Sequence, residues 1–207
     1  LMIFIKHKNY LIFDKKEDII DMMTKGNNFK GSDKPDIARE ALKKIMIKVL
    51  KDNPIWDDEK KVRSKIKKDI IDKAKKVIAD LDLSKVDLSD LTLIQSVQPP
   101  GRYKPNQDGS MSTFGKRAQA LEKVLGKRLK SRIKFRFVVT KDALPGIRNP
   151  SKSGVKPIDY MYPVDLLEDK ENIDLEWYKE MIENYIKGAF GLSDIDMSQQ
   201  TGLDQWM

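Results

Sequence analysis

Of the side chains that most often do chemistry, this 207-residue chain has one histidine, His7, and no cysteine. That excludes thiolate metal sites, disulfide frameworks and any catalytic set needing more than one imidazole. Among the carboxylates that stand close in sequence, Asp57-Asp58 and Asp194 with Asp196 are the ones that invite a metal reading. The first reads as a helix start and the second as part of a polar tail, so neither converges on a metal ion. There is no GxxxxGK[ST], GxGxxG or HExxH, hence no phosphate cradle and no helical zinc site. The expectation is a chain with no catalytic residue, no metal ligand and no cofactor of its own. If it belongs to an enzyme, the chemistry lies elsewhere.

The chemistry that remains is binding chemistry, carried by charge. The net charge of +8 is unevenly spread. Residues 101–136 hold eleven Lys and Arg against Asp108 and Glu122, and residues 43–80 hold thirteen basic against seven acidic residues. Residues 160–207 reverse the sign, with three lysines against eleven acids. Clustered cations suit a polyphosphate, because each neutralised phosphate releases condensed counterions. In 43–80 a solvated lysine-rich helix face is an equally good account. In 101–136 the cations sit among Gly, Pro, Asn and Tyr in a loop as well as on a helix and a strand, which favours nucleic acid.

Several elements must position these residues. Leu1 to Phe13 alternates as a strand hairpin around Lys6 to Asn9. A helix follows Lys34-Pro35, capped by Ser32 or Asp33, with Ile37, Ala38, Ala41, Leu42, Ile45, Met46, Val49 and Leu50 on one face. Asn53-Pro54 ends it, and a long helix runs from about Asp57 to Leu81. Leu91 to Val97 reads as a strand, 101–112 as a loop, and Ser112 or Thr113 caps a basic helix bearing Ala118, Leu121, Val124 and Leu125. Ile133 to Thr140 is the clearest strand, 143–157 a long loop, and Asp174 caps a last helix that Gly191 stops. The expected class is α+β. No apolar run approaches the ~20 residues of a membrane span, and none has the make-up of a signal peptide. A cytoplasmic protein with no membrane partner is expected.

Three local patterns resemble one family, the archaeal family B DNA polymerases, at their C-terminal end. Lys8-Asn9-Tyr10 on a hairpin, followed by a glycine turn and Lys34-Pro35-Asp36-Ile37-Ala38-Arg39-Glu40, resembles the KxY motif at the palm edge and the opening of the thumb. Leu91 to Val97, Tyr103-Lys104, Gly115 to Ala118 and Ile133 to Val139 resemble thumb segments in the same order. Lys156 to Tyr160 and Ile173 to Tyr178 resemble the closing loop and last helix. The third pattern is the tail. Gln200, Leu203, Trp206 and Met207 fit a sliding-clamp (PCNA) binding box, in which one helical turn sets Leu203 beside Trp206 as an apolar plug. Met207 stands where the pattern has a second aromatic.

The resemblance implies a palm-edge hairpin over 1–31, a mainly helical thumb with a small antiparallel sheet over 32–191, and a clamp-binding tail over 192–207. It implies DNA contacts at Lys8 and Tyr10 near the primer terminus, and at Arg102, Tyr103, Lys104, Lys116, Arg117 and Arg148 along the duplex. The partners implied are a large catalytic polymerase subunit, primer–template DNA and the clamp. The two-metal Mg²⁺ site would belong to that large subunit. The chain is also similar to the small second subunit of the two-polypeptide family B polymerase of certain methanogens, with Met2 as its start; an excised thumb is the other account. A basic nucleic-acid-binding or ribosome-associated protein, and a clamp-binding adaptor unrelated to synthesis, remain the competing classes.

Overall fold

The computed structural model describes residues 2–6, 9–13, 22–25, 34–52, 59–148, 150 and 158–190, and the side-chain surroundings of 34–49, 69–148, 150 and 158–190. The expected boundaries at 31/32 and 191/192 lie outside these residues, as do the caps Ser32 and Asp33. The class is α+β, with helices and two small antiparallel sheets. Two compact units divide the chain, one formed by Leu1–Val86 with Lys179–Met207, the other by Asp87–Tyr178.

In the first unit, strands β1 (Met2–Lys6) and β2 (Asn9–Phe13) form the expected hairpin, with Phe4 opposite Tyr10 and Lys6 opposite Asn9. A third strand, β3 (Met22–Lys25), pairs with β2 and sets Tyr10 opposite Lys25. The sequence reading had no strand there, since four residues are too few to show a period. Helix α1 (Asp36–Asp52) buries Ala38, Ala41, Leu42, Ile45, Met46 and Val49, the stripe that three- and four-residue spacing predicts. It packs on α2 (Glu59–Ala79), which buries Ala74, Val77 and Ile78.

The second unit is a sheet in the order β4-β5-β6, from β4 (Leu93–Val97), β5 (Ile133–Val139) and β6 (Met161–Pro163). Leu93 faces Phe137 and Val97 faces Ile133 across the first pair; Val139 faces Met161 across the second. The strand expected from Leu91 starts two residues later. Residues Leu88–Leu91 instead make a single helical turn, α3, closed by Thr92, whose N–H bonds Ser89 O and whose hydroxyl bonds Leu88 O. Helix α4 (Thr113–Leu125) is capped by Ser112, whose Oγ accepts from Gly115 N, and ends at Gly126 with φ 64°, where a side chain would be strained. Among the described residues, no helix is long and apolar enough to cross a membrane.

Helix α5 (Leu175–Phe190) starts in the second unit, where Asp174 accepts from Trp177 N as the cap. Its Tyr178 is fully buried, and the phenol oxygen accepts the N–H of Val139 at 3.0 Å. Burial pushes the Tyr178 phenol above its ordinary value of 10.0. The neutral form is therefore favoured by folding, and that stability is present below pH 10 and is lost as pH rises further. Tyr178→Phe should cost about 1–3 kcal/mol in urea denaturation near pH 7, because Val139 N–H is left buried without an acceptor. The variant should also lose less stability than the parent between about pH 9 and 11. An identical pH dependence of the two proteins would refute this.

Candidate functional site

The cations of residues 101–136 fall in the second unit, and its fold sorts them. Arg102, Lys104, Lys116, Lys123, Lys127, Arg128, Lys130, Arg132, Lys134 and Arg136 are all exposed. None of these ten makes an ion pair with a described carboxylate. The two acids within the segment are occupied by backbone. Asp108 Oδ1 accepts from Ser110 N at 2.9 Å, and side-chain bonding with Ser110 holds its carboxyl below the usual range. Glu122 Oε1 accepts from Leu129 N at 2.7 Å and ties the chain beyond α4 to the helix.

Arg117 is the exception. It was expected on the duplex surface, but only 2% of it is exposed, and its guanidinium points into the unit. Nη1 donates to Gln95 Oε1 at 3.0 Å, Nη2 lies 3.7 Å from Met161 Sδ, and the group stacks over the Phe137 ring at 5.2 Å from its centroid. Arg117 Nε is buried without a partner among the described residues. Loss of solvent lowers its pKa from 12.5 to about 10, opposed by Tyr103 and Asp159 nearby. The group is thus charged at neutral pH and unavailable to a phosphate in this fold. Its type suggested the surface, but its spacing did not. Residues 117, 118, 121 and 125 recur as one helical stripe, which places Arg117 with Ala118 and Leu121 in the core.

The loop before α4 is ordered by its own bonds. Asn106 N donates to Ser110 O at 2.8 Å, Gly109 N donates to Asn106 O at 3.0 Å, and Gly109 takes φ 77° to close the turn. Tyr103 at its base is half-buried, and its hydroxyl accepts from Gln98 N at 2.9 Å. The Tyr103 ring lies parallel to Phe114 of α4, with centroids 6.0 Å apart and 15° between planes. Arg102 and Lys104 flank Tyr103, while Lys116 and Lys123, two turns apart, share one flank of α4.

Arg148 is exposed on the segment after β5. That segment is anchored by Leu144, which is buried and whose N–H bonds Asp159 O at 2.7 Å, and by a turn from Ile147 N to Leu144 O. A Cβ at Gly146 would stand 3.2 Å from Lys123 Nζ, so this segment passes beside Lys123 two residues before Arg148. Lys134 and Arg136 point the other way. On β5 they alternate with the residues that face α4, and they lie opposite Ser96 and Ile94 on the outer side of the sheet. Residues 151–157 of the loop lie outside the described residues. So do Lys8, Gln200, Leu203, Trp206 and Met207, and Tyr10 is placed only as a backbone position on β2. Among the described residues, no group of three His, Asp or Glu is arranged to hold a metal ion.

Compared by sequence, the chain matches no protein-family profile and no curated protein. Compared by fold, it is similar to the family B DNA polymerase of the hyperthermophilic archaeon Pyrobaculum calidifontis. The TM-score is 0.54 at 15% identity, over 90% of this chain and 20% of that polymerase. The likeness is one of fold. The chain has a family B polymerase-like fold and spans one fifth of the length of that enzyme.

The contrast between neighbours on α4 is measurable. Lys116→Ala should leave thermal and urea stability within about 0.5 kcal/mol, as exposed substitutions do. Arg117→Ala should cost about 2–4 kcal/mol, since it opens a cavity and strips Gln95 of its donor. Equal effects would mean that Arg117 is not committed to the core.

Proposed function

We propose that this chain is the small, thumb-type subunit of a split family B DNA-directed DNA polymerase. The observation that supports it best is the match of 90% of the chain to one fifth of a family B polymerase. In this reading the large partner supplies the two-metal Mg²⁺ site that aligns the primer 3′-hydroxyl with the α-phosphate. This chain holds the primer–template behind that site. Lys8 contacts a primer phosphate and Tyr10 packs beside it. Arg102, Lys104, Lys116 and Arg148, with Lys123 beside the Arg148 segment, bind the duplex backbone. Tyr103 fixes the loop that carries two of them. Such contacts position without reading sequence, as replication of any template requires.

The test is primer extension with purified components. The chain alone should add no nucleotide, and addition of the large subunit should give extension. The Arg102→Ala/Lys104→Ala/Lys116→Ala variant should still assemble but bind primer–template less tightly. Its slope of log affinity against log salt should be shallower by about 3, near 0.9 per lost phosphate contact. Extension by this chain alone, or an unchanged slope, would defeat the reading.

The tail is proposed to tether the pair to the sliding clamp. Leu203 and Trp206 form the apolar plug and Gln200 a polar latch, with Met207 in place of a second aromatic. Ordering a short segment on binding costs entropy, so a lone box should bind at about micromolar Kd. In calorimetric titration of a peptide spanning Asp194 to Met207 into the clamp, Trp206→Ala should abolish most of the heat. Gln200→Ala should weaken binding less, because little area is lost. Equal binding by wild-type and Trp206→Ala peptides would remove the clamp from the proposal.

A further inference from the structure

The duplex reading uses charge and leaves one surface feature unused. Phe114 is 46% exposed although it belongs to the first turn of a helix whose neighbours are polar or buried. Its partner Tyr103 is held by the bond from Gln98 N and stacks parallel to it, so the two rings form one aromatic step. Arg102 and Lys104, both exposed and without ion pairs among the described residues, flank the step, and Gly101 beside them has nothing within 4 Å of where a Cβ would stand. An exposed, pre-oriented aromatic face bordered by cations is what a nucleobase and its two phosphates require. A duplex offers phosphates but keeps its bases stacked, so the exposed face of Phe114 has no use in a duplex grip.

We infer that the Tyr103–Phe114 step is a stacking platform for one unpaired base of single-stranded nucleic acid, with Arg102 and Lys104 on the adjoining phosphates. The site goes beyond the duplex reading and does not rest on it. The matched binding experiment uses three ligands across a range of salt: an oligothymidylate of about 8 nucleotides, an abasic deoxyribose-phosphate oligomer of the same length, and a blunt duplex. Phe114→Ala should weaken thymidylate binding about 5- to 100-fold at every salt concentration, with an unchanged salt slope. It should leave the abasic oligomer and the duplex unaffected, and Phe114→Trp should restore the loss. Lys104→Ala should instead lower the slope on both single strands by about 0.7. Thymidylate that does not bind the wild-type chain overturns the platform. So does a Phe114→Ala loss that is absent, or is equal on the abasic oligomer or the duplex. A failure confined to the duplex counts against the duplex grip and leaves the platform standing.

Discussion

The guanidinium of Arg117 is the contact on which the second unit depends. From α4 it reaches Gln95 on β4, Phe137 on β5 and Met161 on β6, so one side chain fastens the helix to all three strands. Burying a cation is costly, and the fall of its pKa to about 10 registers that cost. The charge is kept by the amide of Gln95, the face of Phe137 and the nearby Tyr103 and Asp159. A leucine here would pack well but would specify rotation less sharply, because a guanidinium satisfies its partners in few orientations.

Fixing the rotation of α4 fixes what the helix shows. With Arg117 inward, Lys116 and Lys123 fall on one exposed flank, and Phe114 emerges at the start, where the Tyr103 loop meets it. Gly115 belongs to the same design: a Cβ there would come within 2.7 Å of Met111 Cγ, so the Met111 side chain lies against the first turn of α4 because that position is bare. The loop is then stitched by its own backbone bonds and capped by Ser112. Side chains on such a loop are placed by the core beneath them, and their backbone has little freedom left to lose.

Periodicity made much of this readable. The α1 stripe, the existence of strand β5 and the caps Ser112 and Asp174 follow from local sequence, because each depends on neighbours within one or two turns. What could not be read depends on distant partners. Strand β3 exists because β2 offers it an edge, and four residues do not announce that locally. Leu91 is apolar and adjoins a strand pattern, yet it is buried at the end of a helical turn held by Thr92. Ten of the eleven cations in 101–136 were legible as surface, because a lone charge in water needs no explanation. The eleventh was counted by type, and Gln95 lies twenty-two residues away from it. The pairing of Tyr103 with Phe114 had no signal at all in the spacing.

The topology also orders the unit's charge. Strand β4 leads through Val97 to Arg102 and Lys104, and β6 leads through Pro163 to Asp165, Glu168, Asp169 and Glu171, all exposed. These strands form opposite edges of the sheet, with β5 between them. The acidic stretch does not stay at its edge, because the chain beyond Glu171 returns to β5, where Lys141 N donates to Asn172 O and Asp174 N donates to Val139 O. Segments of opposite charge on one small body give it a field with direction, which salt weakens over the Debye length of about 8–10 Å. The basic segment and the aromatic step at Phe114 meet where the Tyr103 loop joins α4, so charge and stacking surface stand side by side in this unit.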